Sequence, residues 1–309
     1  MFKEFAKRKL VVVSLSFLIL LIIYLFPGKD EYKIYSSVSY TPTKTMPIYL
    51  VDKNNLVSRL EMVKVSTNFD DLVKEIINNL TINNDTNHIP NSFKKIIPEK
   101  TKLLSYELEN DLLKINFSKE FLNVSKEDEE KLLEALIYSL TEIKEVNKIM
   151  IFIEGERLNN LPHSKKVLPL TFDRNYGINK IYEIKSMKNL SKITTYYVNK
   201  EDNLIYYTPI TLVTNTSNEK IEVIVERLKS SPTFETNLIS YLASSTKLIN
   251  YEILENSMNL TFSNDILSLD SNKIIEEVKY SISLSVRDTY NINKTIFFVD
   301  NNLMDVNFF

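Results

Sequence analysis

Thr101–Ser118 reads TKLLSYELENDLLKINFS, and Thr246–Ser263 reads TKLINYEILENSMNLTFS. Seven of these 18 positions are identical, and most of the others exchange one apolar or small polar residue for another. The two stretches lie 145 residues apart. That is far longer than a solenoid unit of roughly 20–50 residues and about the size of one domain. The chain therefore carries two copies of one folding unit.

Working outward, the first stretch predicts two strands, Lys102–Leu108 and Leu112–Phe117, joined at Glu109-Asn110-Asp111. A helix is expected next. Ser125 is placed to cap it, Glu127, Asp128, Glu129 and Glu130 crowd its first turn, and Leu132, Leu133, Leu136, Ile137, Leu140 and Ile143 form its apolar face. Lys148–Ile153 is a short apolar strand ending at Glu154-Gly155. Upstream, Pro47–Asp52 and Leu56–Val65 form a hairpin around Lys53-Asn54-Asn55. Phe69–Leu80 puts Leu72, Val73, Ile76, Ile77 and Leu80 on one helical stripe, with Asn68 or Thr67 as N-cap, and Asn83–Ser92 is a polar loop. The second copy repeats the order. Thr195–Lys200 and Leu204–Leu212 match the hairpin, and Ile221, Ile224, Val225 and Leu228 match the first helix. Ile274, Ile275, Val278 and Ile282 match the second helix, with Ser271 as its cap, and Lys294–Asp300 matches the last strand. The expected class is α+β: two tandem ββαββαβ domains, each a small mixed sheet with two helices on one face.

The chain has 309 residues, 44% hydrophobic and 25% charged, which is an ordinary globular balance with material for two cores. A net charge of −2 indicates neither an acidic nor a basic partner. The absence of cysteine excludes disulfides, thiolate metal sites and a cysteine nucleophile. Three glycines leave no glycine-rich phosphate loop.

The N-terminus differs in kind. Lys3, Lys7, Arg8 and Lys9 precede an uncharged apolar run from Leu10 to Phe26, near the lower end of what spans a bilayer core. The basic flank places residues 1–9 in the cytoplasm and the bulk of the chain outside, as a single-pass cell-membrane protein. LFPGKDEYK offers no small-x-small cleavage site, so an uncleaved anchor is expected. The domain plan is a cytoplasmic tail over residues 1–9, a transmembrane helix over 10–26, a polar tether over 27–46, a first domain with its extension over 47–182, and a second over 190–309.

The run from Ile97 to Leu158 resembles the GerMN-domain family of sporulation and spore germination proteins. The matching elements are Pro98, Thr101 and Leu103 entering a strand, and Phe117, Ser118 and Phe121 closing the next. Leu140-Thr141-Glu142 near the end of the second helix and Gly155 after the last strand complete the set. Leu161–Asn179 is similar to the extension that leaves the first domain in this family. The second copy departs, with Leu242-Ala243 where the first has Ile97-Pro98, and without the glycine. The resemblance implies a fold like the ring-building domains of secretion-type complexes. It also implies a non-enzymatic extracytoplasmic scaffold supporting a channel-like complex between mother cell and forespore. The best-known members are lipoproteins, whereas here a transmembrane anchor is expected.

No residue is assigned as catalytic, cofactor-binding or metal-ligating. His88, in a polar loop, and His163, between the domains, belong to no triad or zinc motif and are expected to be solvated. Glu154 and Glu156 flank Gly155 in an expected exposed turn, and the second copy has Asp300-Asn301-Asn302 there. The Glu127–Glu130 run lacks the alternating ligands and glycine turn of a calcium loop, so complementing the helix dipole is its expected role. Tyr196, Phe297 and Phe298 lie in strand patterns and are expected in the core or on a sheet, and no basic stripe supports nucleic-acid binding. Two alternatives stay open. A cell-wall hydrolase requires a carboxylate pair in a deep groove. A ligand-binding module sensing wall fragments or small molecules would be favoured by a concave apolar pocket between the domains, present in only one copy. Comparison of the copies suggests that apolar and turn positions were kept while potentially catalytic groups were not.

Overall fold

A computed structural model describes residues 45–64, 66–84, 89–201, 204–232 and 237–309. The first copy runs β1 (Thr45–Asp52), β2 (Val57–Val63), α1 (Phe69–Leu80), β3 (Phe93–Lys94), β4 (Leu103–Glu109), β5 (Leu112–Phe117), α2 (Glu129–Leu140), β6 (Lys148–Ile153) and β7 (Glu156–Arg157). A connecting segment holds β8 (Ile181–Glu183). The second copy runs β9 (Ser191–Glu201), β10 (Leu204–Thr214), α3 (Lys220–Leu228), β11 (Leu248–Leu254), β12 (Ser257–Phe262), α4 (Glu276–Tyr290), β13 (Lys294–Val299) and β14 (Asn302–Phe308). These residues belong to one compact unit bounded by Lys44 and Phe309. The expected anchor, and all of the expected tether before Thr45, lie outside the described residues. Among those described, no helix is long and apolar enough to cross a membrane.

The repeated stretch decides the fold as its pattern predicts. β4–β5 and β11–β12 are antiparallel pairs, and each carries a register shift at the same place, between Leu103 and Ser105 and between Leu248 and Asn250. Period-two alternation turns Leu113, Ile115 and Phe117, and equally Met258, Leu260 and Phe262, into the core. β5–β6 and β12–β13 are parallel, so each needs a crossover, which α2 and α4 supply.

The helices follow their apolar stripes. α1 spans the predicted residues, with the Asn68 side chain accepting from the backbone N–H of Asp70, and buries Leu72, Val73, Ile76, Ile77 and Leu80. Each such side chain contributes about 1.5–3 kcal/mol of burial. α2 begins at Glu129, a turn later than the expected Ser125 cap. Ser125 instead closes the preceding turn, its hydroxyl accepting from Asp128 N–H at 3.2 Å. Ser271 does not cap α4, which starts at Glu276 after Ile275. The chain reverses just after Ser271 through Asn272 at φ 51°, and the Ser268 N–H closes that loop on the Lys273 carbonyl.

The expectation of one mixed sheet per copy is corrected. Each copy splits into a hairpin and a four-stranded sheet, ordered β4-β5-β6-β7 in the first and β11-β12-β13-β14 in the second. The two hairpins leave their own copies and join in a six-stranded sheet ordered β3-β1-β2-β10-β8, with β9 on β10. The junction is antiparallel, Arg59 opposite Tyr207, with Ser58 and Thr208 sharing a buried hydrogen bond of 2.7 Å between their hydroxyls. Equivalent strands meeting antiparallel relate the copies by an approximate two-fold axis. Asn179 fills the widening gap between β2 and β10: its side chain accepts from Val57 N–H and donates to the carbonyls of Val57 and Pro209. The cores interlock as well, since Tyr196, Tyr206 and Leu284 of the second copy are buried in the core of the first.

Candidate functional site

Helix α2 carries polar residues four apart, Glu130, Glu134 and Tyr138, and Glu142 continues the row just past its end; a helix stacks such positions on one face. Together with Glu129 they hold the connecting segment. Glu129, 3% exposed, accepts from the backbone N–H groups of His163 and Ser164 at 2.9 and 3.0 Å. Glu130 pairs with Lys166. Glu134 pairs with Lys180 and accepts from Asn179 N–H. Tyr138 donates to the Arg174 carbonyl at 2.9 Å. The acidic run therefore does more than complement a dipole: it fastens the interdomain segment. The partners in that segment, His163, Ser164 and Lys166, lie far along the chain, which hides that role from the sequence.

The ladder ends in a buried charge cluster on the approximate two-fold axis. Arg174 reaches Glu142 at 2.6 Å and Asp288 at 2.9 Å. Arg287 reaches Glu142 at 2.9 Å and Asp288 at 3.0 Å. The Tyr49 and Tyr196 hydroxyls meet at 2.9 Å; Tyr49 also bonds Glu142, and Tyr196 donates to Asp288. Each tyrosine's backbone N–H donates to a serine on the facing helix at 2.9 Å, Tyr49 to Ser139 and Tyr196 to Ser285. Tyr49 and Tyr196, Ser139 and Ser285, and Glu142 and Asp288 occupy equivalent places in the two copies. The inference that only apolar and turn positions were kept is thus corrected. Glu142 belongs to the Leu-Thr-Glu motif of the family resemblance and Arg174 lies within its Leu161–Asn179 extension, whereas Tyr49 and Arg287 belong to no motif. The signal that could find the site is an acid, and a serine three residues before it, recurring 146 residues on.

Two carboxylates in an inter-copy groove are what a hydrolase requires, but the protonation of Glu142 and the pairing of both groups argue otherwise. Burial alone raises the Glu142 carboxyl, yet the guanidiniums of Arg287, Arg174 and Arg59 outweigh it and hold the group well below the usual carboxylate range. A general acid needs the opposite shift. Burial lowers the two arginines, but Asp288 and Glu142 more than reverse this and keep both charged. Every carboxylate oxygen of Glu142 and Asp288 accepts from at least one of these arginines or tyrosines. The arrangement ties the copies together and presents no free carboxylate to a substrate water.

Two concavities flank the junction. One, about 620 Å³, opens over the charge cluster where the C-terminal ends of α2 and α4 meet. The other, about 600 Å³, has Leu56, Ile181, Ile210 and Leu238 at its apolar surface beside the N-terminal half of α2. The latter is the apolar concavity between copies that the ligand-binding alternative calls for. Its Glu130 and Glu134 are already paired with Lys166 and Lys180.

The remaining sequence candidates lie elsewhere. His163 is exposed, with Nε2 2.7 Å from the Val124 carbonyl oxygen, so it is tied to the backbone rather than free in solvent. His88 lies outside the described residues. Glu154 and Gly155 form the expected exposed turn at φ 51° and 86°, repeated by Asp300 and Asn301 at φ 48° and 63°. Glu154 accepts from Lys119 N–H, and Asp300 from the Asn264 amide. Tyr196 and Phe297 are buried, while Phe298 is half-buried on the sheet. Among the described residues no group of three or more His, Asp or Glu is arranged to hold a metal ion.

Residues 47–159 match a family model described as Germane: Sporulation and spore germination. The spore germination protein GerM of Bacillus subtilis (strain 168) is 24% identical over 250 residues, covering 78% of this chain and 67% of that protein. The solved tandem GerMN domains of the sporulation protein GerM from Bacillus subtilis match with a TM-score of 0.75 at 23% identity. That match covers 84% of this chain and 92% of the other. The chain has the mixed α+β fold of tandem GerMN domains, and its resemblance to the GerMN-domain family holds in both sequence and structure.

Proposed function

We propose that this GerM-like chain is a non-enzymatic scaffold, anchored in the cell membrane by residues 10–26 with its bulk on the extracytoplasmic side. In this reading it stabilises a sporulation- or germination-type envelope complex through protein–protein contacts. One observation carries the reading. The repeated segment, the best-kept part of the duplication, holds β4 and β11, and each is the outer strand of its four-stranded sheet. On each strand some apolar residues face solvent, Leu104 at 46%, Ile249 at 61% and Ile253 at 48% exposure, while Leu103, Tyr106 and Leu108 of β4 and Leu248 and Tyr251 of β11 pack against the cores. Soluble proteins usually blunt such edges with charge, proline or a cover, and a partner strand is a common cover. Two equivalent edges on one tether let the chain engage two neighbouring subunits or hold one with raised effective concentration. The protonation of Glu142 supports the non-enzymatic part.

The test is site-specific photo-crosslinking from Glu107 and Glu252 in envelopes, with and without Leu104→Lys and Ile249→Lys. The reading expects discrete crosslinked proteins that disappear in the charged variants while the melting temperature is unchanged. Crosslinks that persist in those variants, or none from the intact chain, refute it. Protease added outside intact protoplasts should digest the bulk of the chain; full protection refutes the orientation. A second reading, a ligand-binding module, is favoured by the two concavities between the copies. In that case a small molecule, rather than a partner, shifts the melting temperature.

A further inference from the structure

We propose that the groove over the charge cluster binds an uncharged saccharide. At about 620 Å³ it lies within the range of ligand pockets, roughly 300–1,000 Å³, and both copies build it, so neither has it alone.

Its charge balance sets the ligand class. The floor holds Glu142 and Asp288 against Arg174 and Arg287, and the rim adds Asp111 and Asp173 against Lys144 and Lys148. Acids and bases cancel, and the floor charges already satisfy one another. An ionic ligand would meet as much repulsion as attraction and would lose its hydration as well. A neutral polar ligand meets neither cost.

The rim supplies partners for hydroxyls. Asn175, Asn291 and Asn293 line the groove and are exposed, and their side-chain amides make no hydrogen bond among the described residues. A planar amide donates and accepts at once, so one asparagine can serve two adjacent hydroxyls of a sugar ring. Phe309, 37% exposed, lines the same groove, and the part of its ring that Arg287 and Tyr280 leave uncovered is open to the C–H side of such a ring. The Arg287 guanidinium lies 5.1 Å from its centroid and holds it in place. The pair is fixed before a ligand arrives, which lowers the ordering cost of binding. The paired charges of Glu142, Asp288, Arg174 and Arg287 form a rigid floor, Asp111 is held by the Asn147 amide, and the amides of Asn175, Asn291 and Asn293 are left for a ligand.

The experiment is saturation-transfer NMR on the full chain with N,N′-diacetylchitobiose, an uncharged disaccharide. A capped alanine tripeptide and inorganic phosphate serve as the other arms. Saturation transfer to the ring protons is expected, with affinity reduced about tenfold or more, equivalent to about 1.4 kcal/mol, by Asn175→Ala combined with Asn293→Ala. Ile249→Lys, on the distant sheet edge, should leave it unchanged. A diazirine-bearing disaccharide gives an independent readout that needs no variant, since it should label residues of the groove in the unmodified chain. No transfer at millimolar sugar, labelling elsewhere, or equal affinity in the double variant overturns the proposal. Binding of the tripeptide or of phosphate in place of the sugar overturns the ligand class. Crosslinking from β4 and β11 is unaffected by any of these outcomes, so the scaffold reading stands or falls separately.

Discussion

Replacing Arg174 with alanine should destabilise the whole described unit, because this one side chain reaches an acid from each copy. It sits 2.6 Å from Glu142 and 2.9 Å from Asp288, and donates to the Tyr138 carbonyl at 3.1 Å. Its side chain is 15% exposed, and those of Glu142 and Asp288 are 8% and 0% exposed. Breaking a buried pair by removing one partner costs about 3–5 kcal/mol, because the other charge is left without compensation. Here Arg287 still touches both acids, so the lower end, about 3 kcal/mol, is expected. With a urea dependence of about 3 kcal/mol per molar, the unfolding midpoint falls by about 1 M. Arg174→Lys keeps the charge but loses the planar fork that serves two carboxylates at once, and should fall between the two. The control is Lys229→Ala, which breaks a surface pair with the 68%-exposed Glu226 and should cost about 0–1 kcal/mol. Urea unfolding followed by circular dichroism and by tyrosine fluorescence measures all three. A loss from Arg174→Ala no larger than from Lys229→Ala would show that the cluster contributes no more than an exposed pair, and the argument that it joins the copies would fail.

Other outcomes follow from the same geometry. The Glu142 carboxyl is held below its unfolded value, about 4.3, by Arg287, Arg174 and Arg59 acting against burial. Its contribution to stability is therefore fully present above that value and drains away as pH falls below it towards the folded pKa. Unfolding midpoints between about pH 5 and about pH 2.5 should drop more steeply in the native chain than in Glu142→Gln, and parallel slopes would contradict the assignment. Ser139→Ala and Ser285→Ala each leave a buried tyrosine N–H unpaired, at a cost of about 1–3 kcal/mol. Thermal melts should show similar losses for the two if the copies use these serines equivalently. Gly177 sits at φ +82°, where an alanine Cβ would lie 3.0 Å from a Thr211 methyl carbon, whereas Gly155 at φ +86° has open space around it. Gly177, at ψ 161°, lies in a backbone region adopted essentially by glycine alone, at a cost of about 1–3 kcal/mol for another residue, and the Thr211 contact adds to it, so thermal melts should show a measurably larger loss for Gly177→Ala than for Gly155→Ala.

Much of the fold is legible along the chain because its signals are local. Apolar period alone bounds α1 and β5, and the recurrence of Phe117-Ser118 as Phe262-Ser263 locates the second central strand pair. Sheet partnership is not local. Nothing in Pro47–Asp52 says that the hairpin abandons β4 for the other copy's hairpin, since alternating apolar residues fit either neighbour. The short strands β3, β7 and β8 have two or three residues each and carry no period to detect. The charge cluster is half visible: Glu142 and Asp288 match by position. Arg174 lies in a connecting segment with no second copy to compare, and Arg287 stands where the first copy has Thr141. Ser125 and Ser271 read as caps because a serine before an acidic run fits a preceding turn as well as a helix start.

The Tyr49–Tyr196 contact has a consequence for how the chain came to be arranged. Joining equivalent residues of antiparallel equivalent strands, it has the form of the contact that a homodimer makes across a true two-fold axis. Covalent connection replaces an association that dilution would break with one whose effective concentration is set by the connector, about millimolar for short flexible segments. It also removes the demand for symmetry. A symmetric pair must supply every residue near its axis twice, and two copies of Arg174 would compete for the same carboxylates. A single chain can place one Arg174 there, beside an Arg287 whose counterpart in the first copy is Thr141, and the partners are then free to differ everywhere except where they touch.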